Sequence, residues 1–291
     1  MKARGLSLPL MSGLCICFWK ASTEIPCKMS SSTFVICQYV SRSLRIQSHF
    51  YSVFCSNLVQ VATQEHIMTQ WTRVQAELAT LTSPQIGSIR SISPSGEPVI
   101  GGLASSAAEL RDAGPFSRAV EYFAAIADAA ASKLDSSARL GALVLRDILD
   151  KTTLFGDVDT IEQFPLNHMD LGTRNILVDD QFNFIAIIDW EFAQTAPWQV
   201  NRYPMPFPLL QLNIEDILRD PGHLAHRNVL RQDVSRRLYR QKFQEAERTL
   251  EEEGRPLNGS FADTLDSPAS RTYACFNSLG RLQQADSRPA P

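Results

Sequence analysis

Glycine is almost missing from the first part of the chain: before residue 87 it occurs only as Gly5 and Gly13. That excludes from this stretch a loop of closely spaced glycines, the device that wraps nucleotide phosphates. Cysteine is missing from nearly all of the remainder. Cys15, Cys17, Cys27, Cys37 and Cys55 fall early, and only Cys275 lies beyond them. Their spacings hold no Cys-x-x-Cys pair and no histidine stands at ligand spacing, which argues against a zinc site or a disulfide framework. A basic surplus is absent too. With 28 Lys and Arg against 31 Asp and Glu, the net charge is -3, so nucleic acid is not an expected partner. No stretch is long and apolar enough to predict a membrane span. Lys2 and Arg4 followed by apolar residues 6 to 19 resemble the start of a signal peptide, but that apolar run is too short to cross a bilayer. No internal repeat is visible.

What is present is enough apolar sequence, 44% of 291 residues, to build a sizeable core. The charge is distributed unevenly. Residues 1 to 64 carry Lys2, Arg4, Lys20, Lys28, Arg42 and Arg45 against Glu24 alone, a surplus of +5 that leaves -8 for the rest. From residue 64 onward the sequence acquires a helical period. Ile67, Trp71, Val74, Leu78 and Leu81 line one face, and Pro84 and Gly87 are expected to stop that helix. Residues 91 to 102, rich in Ser, Gly and Pro, read as a loop or short hairpin. A second helix is predicted after Pro115, with Val120, Phe123, Ile126 and Ala130 inward, and a third over about residues 136 to 149. A long charged helix is predicted over residues 227 to 254, with Leu230, Val234, Leu238, Tyr239, Phe243, Ala246 and Leu250 inward and Gly254 as its C-cap. Glu251, Glu252 and Glu253 at its end read as a solvated surface. Prolines at 204, 206 and 208 make that segment an extended loop.

Between residues 164 and 190 the pattern changes to short branched runs, residues 176 to 178 and 184 to 188, separated by Asp179 and Asp180. This is a hairpin signal. Immediately before it stands the sequence His168-Met-Asp170-Leu-Gly-Thr-Arg174-Asn175, and immediately after it Asp189-Trp-Glu191. Phosphoryl transfer needs a group that orients an attacking hydroxyl and accepts its proton, plus oxygen ligands for Mg²⁺. Asp170 suits the first task, Asn175 and Asp189 the second, because Mg²⁺ takes a carboxylate and a carbonyl oxygen while keeping water and phosphate. Each of the three has an ordinary alternative: Asp170 capping a turn, Asn175 opening a strand, Asp189 closing one. Their joint spacing is what carries the reading.

The pattern His168-x-Asp170-x-x-x-x-Asn175, with an apolar strand ending in Asp189, resembles the catalytic motif of the aminoglycoside phosphotransferase family of small-molecule kinases. Asn175-Ile-Leu-Val-Asp179, Ile187-Ile-Asp-Trp-Glu-Phe-Ala193 and Tyr203-Pro-Met-Pro-Phe207 are similar to a large fungal branch of it, and the similarity spans roughly residues 65 to 285. The resemblance implies an α+β, protein-kinase-like fold, present mainly as the helical C-terminal lobe with a catalytic-loop β-hairpin. It implies Asp170 as catalytic base, Asn175 and Asp189 as metal ligands, ATP and Mg²⁺ as co-substrate and cofactor, and a small-molecule hydroxyl as acceptor. His168 matches the histidine that supports the loop. Arg174 is placed to touch phosphate, or is simply a surface arginine, and Glu191 supports the site or the substrate, or is an exposed acid.

The N-terminal lobe is expected to be truncated or atypical. A kinase of this kind needs a strand-borne lysine, a helix glutamate to orient it and a covering loop. Only about 63 residues precede the first periodic helix, and Lys20, after the strand-like residues 14 to 19, is the weak candidate for the nucleotide-binding lysine. The expected division is an atypical basic segment over 1–63, a remnant lobe or unrelated sequence joined by truncation or a misassigned gene start. A phosphotransferase-like C-terminal lobe follows over 64–282, then a disordered tail over 283–291. The expected activity is ATP- and Mg²⁺-dependent transfer to a small-molecule hydroxyl, in the cytoplasm, impaired by loss of the N-terminal lobe. The alternative is a catalytically inert kinase-like protein that binds a metabolite or a protein partner.

Overall fold

The computed structural model describes residues 7–10, 14–17, 61–104, 110, 112–132, 136–156, 162–201 and 214–286. Lys20 and the proline-rich stretch 203–208 lie outside them. The architecture is α+β. Strands β1 (Ser7–Leu10) and β2 (Leu14–Cys17) precede helix α1 (Val61–Ala79), followed by β3 (Thr82–Ser83), β4 (Gly87–Ile92) and β5 (Pro98–Gly101). Helices α2 (Ala119–Ala131) and α3 (Ser136–Lys151) come next, then β6 (Phe164–Asn167), β7 (Ile176–Val178), β8 (Phe184–Ile187) and β9 (Gln194–Thr195). The chain ends with α4 (Ile214–Arg219), α5 (His226–Glu252), α6 (Phe261–Leu265) and α7 (Pro268–Asp286). Among the described residues no helix is long and apolar enough to cross a membrane.

Two sheets organise the strands, in the orders β1-β2-β8-β7 and β3-β6-β9-β4-β5. The stretch 91–102 is a hairpin: β4 and β5 pair antiparallel with a register shift between Ile89 and Ser91. In the other sheet β7 and β8 form the predicted antiparallel hairpin, and β2 adds to β8 in parallel, Cys15 opposite Ala186 and Ile16 opposite Ile187.

Helix α1 buries the stripe its spacing announces. Ile67, Trp71, Val74 and Leu78 are inaccessible or nearly so, and Met68 with them, whereas Leu81, the last of the expected stripe, lies beyond the helix end and is partly buried. Burying each of the larger side chains stabilises the fold by about 1.5–3 kcal/mol. The helix stops at Ala79, ahead of Pro84, because the chain turns at once into β3: the Leu81 carbonyl accepts from the Leu166 amide of β6 at 2.8 Å. Around α1 gathers a first core cluster, with Leu166, Ile176, Val178, Phe184 and Ile187 from the strands, Trp190 from the turn after β8, and Tyr239, Phe243, Ala246 and Leu250 from α5. A second cluster joins Tyr122, Phe123, Ile126 and Ala127 of α2 to Leu145 and Leu149 of α3, Phe164 of β6 and Tyr273 of α7. On α2 the buried stripe is thus turned from the expected one, and Val120 and Ala130 are only partly covered.

Helix α5 corrects two expectations. Leu230 and Val234 are 43% and 56% exposed, while Val229 and Ser235 are buried. The stripe 239, 243, 246, 250, extended backwards at 3.6 residues per turn, lands near 236, 232 and 229. Leu230 and Val234 therefore sit off the packed face. At the other end Glu253 is not merely solvated. It pairs with Arg73 of α1 and with Arg255, and Glu77, 2% exposed, holds both arginines. Gly254 closes the helix at φ +75°, its amide donating to the Glu251 carbonyl and that of Arg255 to the Leu250 carbonyl. A left-handed residue at that position carries little cost only for glycine.

Candidate functional site

Strand β6 delivers the chain to His168, and a sharp turn follows. Met169 takes a left-handed conformation, φ +64°, which costs a side-chain-bearing residue about 1 kcal/mol or more. The Gly172 amide donates to the Asp170 carbonyl at 2.9 Å and the Asn175 amide to the Gly172 carbonyl at 2.9 Å, which folds residues 173–175 into a 3₁₀ turn before β7. Asn175 is 4% exposed and its Nδ2 donates twice to Asp170, to the main-chain oxygen at 2.7 Å and to Oδ2 at 3.1 Å. With the donors spent inside the loop, Oδ1 is the Asn175 atom suited to a cation.

Strand β8 returns beside this loop. The Ile188 amide donates to the Asn175 carbonyl at 3.0 Å, and Asp189 then turns left-handed, φ +66° and ψ +55°. Aspartate tolerates that region better than most residues. The turn leads directly into a 3₁₀ segment over Trp190–Phe192, on which Trp190 is buried and Glu191 exposed. Asp189 is itself exposed and Asp170 half-buried.

His168 locks the two strands together. It is 2% exposed, its Nε2 donates to the Ile188 carbonyl at 2.9 Å, and its ring meets the Trp190 ring edge-on at a centroid distance of 4.6 Å. A carbonyl only accepts, so Nε2 carries the hydrogen in the neutral ring. Nδ1 is buried with no hydrogen-bond partner among the described residues. Burial lowers the His168 pKa, opposed in part by the Ile188 hydrogen bond and by the charges of Asp170 and Asp189. A neutral imidazole with its only hydrogen committed to the backbone is a brace between β6 and β8. Trp190 completes it, donating from Nε1 to the Ile187 carbonyl at 2.8 Å.

Arg174 is on Asp170. Its Nη2 donates to both carboxylate oxygens, at 2.8 and 2.6 Å, from a side chain that is 75% exposed. The hydrogen bond to Asp170 raises the arginine's pKa further, with the charges of Asp170 and Asp189 assisting. This pair is the feature that spacing left undecided. An i,i+4 signal was present in the sequence, but nothing in it chose between a phosphate and the neighbouring carboxylate.

The donors suit Mg²⁺ better than a metal needing a full protein cage. Among the described residues no group of three or more His, Cys, Asp or Glu could hold a metal ion. Asn175, just before β7, and Asp189, just after β8, lie where the Ile188 amide ties the two ends together, and they offer one amide oxygen and one carboxylate. A cation that keeps several waters asks for little more. Phosphate-gripping lysine is another matter. The described lysines with side-chain contacts are Lys151, paired with Asp147, and Lys242, paired with Glu65 and Glu245. A surface groove of about 920 Å³ between α1 and α5, lined by Arg73, Glu77, Lys242, Glu253 and Arg255, includes none of the loop residues. Compared with known proteins, the chain matches no family model, no curated protein and no solved structure.

Proposed function

We propose that this chain carries the catalytic-loop lobe of a kinase-like phosphotransferase of the aminoglycoside phosphotransferase type, ATP- and Mg²⁺-dependent and acting on a small-molecule hydroxyl. The observation that carries the reading is the knot joining the loop to the hairpin: Asn175 on Asp170, Ile188 on Asn175 and His168 on Ile188, all through hydrogen bonds of 2.7–3.1 Å. It brings a half-buried carboxylate, an amide oxygen and a second carboxylate to the end of one hairpin.

In this reading Asp170 orients the acceptor hydroxyl and takes its proton, a contribution of about 10²–10⁴-fold for a positioned base. Asn175 and Asp189 hold Mg²⁺, which when bound neutralises phosphate charge. His168 keeps β6 and β8 at fixed separation, so both carboxylates stay aimed while the acceptor binds. Glu191, exposed one turn beyond Asp189, is available to a polar acceptor. The reading places the reaction in the cytoplasm, where ATP is supplied.

A second reading, a catalytically inert kinase-like protein that binds a metabolite or another protein, is favoured by one observation. Both described lysines with side-chain contacts are committed to carboxylates elsewhere. Calorimetric titration of the folded chain with Mg²⁺ and ATP separates the two. Binding with micromolar to millimolar affinity, and phosphotransfer to a panel of amino alcohols and sugars that falls at least about 100-fold in Asp170→Asn, is the expected result. No nucleotide binding by folded protein would sink the enzyme reading.

A further inference from the structure

The loop supplies its own cation. Two carboxylates at the end of one hairpin repel each other, and Arg174, four residues after Asp170, pairs with Asp170 at 2.6 Å. Its guanidinium covers both Asp170 oxygens while Asn175 Nδ2 shares Oδ2 at 3.1 Å, so the carboxylate is enclosed from within the loop. Arginine is ionised at every relevant pH and has a fork shape that fits a carboxylate. It is also three-quarters exposed, so its ion pair with Asp170 is solvated and exchangeable.

We propose that Arg174 is a tethered counter-ion of the Asp170 and Asp189 pair, which competes electrostatically with a divalent cation for this loop. The inference rests on the reading of Asn175 and Asp189 as cation ligands. While Arg174 stays on Asp170, a cation arriving beside Asp189 meets one aspartate already neutralised and a positive charge nearby. Departure of Arg174 restores the field that attracts the cation and uncovers the oxygen that would accept a proton. The loop thus alternates between a closed ion pair and an open, cation-holding state, and Arg174 sets the cation concentration at which the exchange occurs. Because the pair is solvated, the effect is modest, about fivefold in affinity.

The test uses the full chain without nucleotide and Mn²⁺ alone as the probe, its free fraction read by electron paramagnetic resonance. Arg174→Gln, which keeps most of the stem and removes the charge, is expected to bind Mn²⁺ about fivefold more tightly than wild type at low salt, with the gain shrinking at high salt. Arg174→Lys, which keeps the charge, is expected to stay within about twofold of wild type. Asp189→Asn is expected to abolish binding. If wild type binds and Arg174→Gln binds no more tightly, the counter-ion proposal is overturned while the cation site stands. If Arg174→Lys matches Arg174→Gln, charge is not the agent and the proposal fails. If neither wild type nor Arg174→Gln binds Mn²⁺ at millimolar concentration, the cation-site reading falls and takes the proposal with it.

Discussion

His168 ties the end of β6 to the end of β8 with one hydrogen bond. Its lowered pKa makes it a pH-dependent element of stability, and the sign follows from the direction. Above the ordinary histidine value of about 6.5 both folded and unfolded chains hold a neutral ring, and its contribution is complete. As the pH falls below that value the unfolded chain takes a proton that the folded chain refuses, and stability is lost. One proton per molecule is the most this group can take up, so the slope cannot exceed about 1.4 kcal/mol per pH unit. Urea unfolding of wild type and His168→Gln at several pH values between about 7.5 and 5.5 measures it. The variant, whose amide can still donate to the Ile188 carbonyl, should show the shallower fall. An equal fall in both proteins would place the pH dependence elsewhere. Identity was readable at this position, since a histidine two residues before Asp170 belongs to the motif. Its partner was not, because a hydrogen bond to a backbone carbonyl twenty residues away leaves no trace in residue types.

A glutamine of α1 makes two main-chain hydrogen bonds to the β7–β8 hairpin, beside the His66–Asn183 contact at 2.9 Å. Gln70 Nε2 donates to the Phe182 carbonyl at 3.0 Å, and the Phe184 amide donates to Gln70 Oε1 at 2.7 Å. One side-chain amide therefore substitutes for a neighbouring strand where the turn enters β8, next to Phe182, which is itself left-handed at φ +63°. Gln70→Ala leaves a main-chain donor and a main-chain acceptor without that partner and should cost about 1–3 kcal/mol. Hydrogen exchange should locate the damage: amides of residues 176–187 are expected to lose protection in Gln70→Ala while those of α2 and α3 do not. Uniform loss in all elements would show that the clasp has no local role. The hairpin was legible from two apolar runs and an Asp-Asp turn, and so were the long helices, because period survives in one dimension. What the period could not give was phase at the helix start. On α5 the leucine and valine at 230 and 234 looked inward by spacing to Leu238, yet the packed stripe through Tyr239 and Phe243 runs past Val229 instead.

Across the whole molecule, the strands divide the helices into two packed bodies, and β6 runs from one to the other: Phe164 lies in the cluster of α2, α3 and α7, Leu166 in that of α1 and α5. Sheet order was out of reach of the sequence. That β9, two residues long, pairs with both β4 and β6 is a matter of distant contacts that no local pattern encodes. A four-residue strand shared by two cores also sets how the molecule reports its own unfolding. Trp71 and Trp190 belong to the first core and Trp198 packs against it, so in a Trp19→Phe background, which removes the one tryptophan outside the described residues, emission reports on that half, whereas far-ultraviolet ellipticity sums the helices of both. Through β6, neither half can open without stripping a wall from the other, and the two signals should trace one urea transition with a common midpoint. Two separated midpoints would mean that the shared strand fails to couple them. Emission from Trp71, Trp190 and Trp198 would then gauge the half that holds the loop from His168 to Asn175, apart from the fate of α2 and α3.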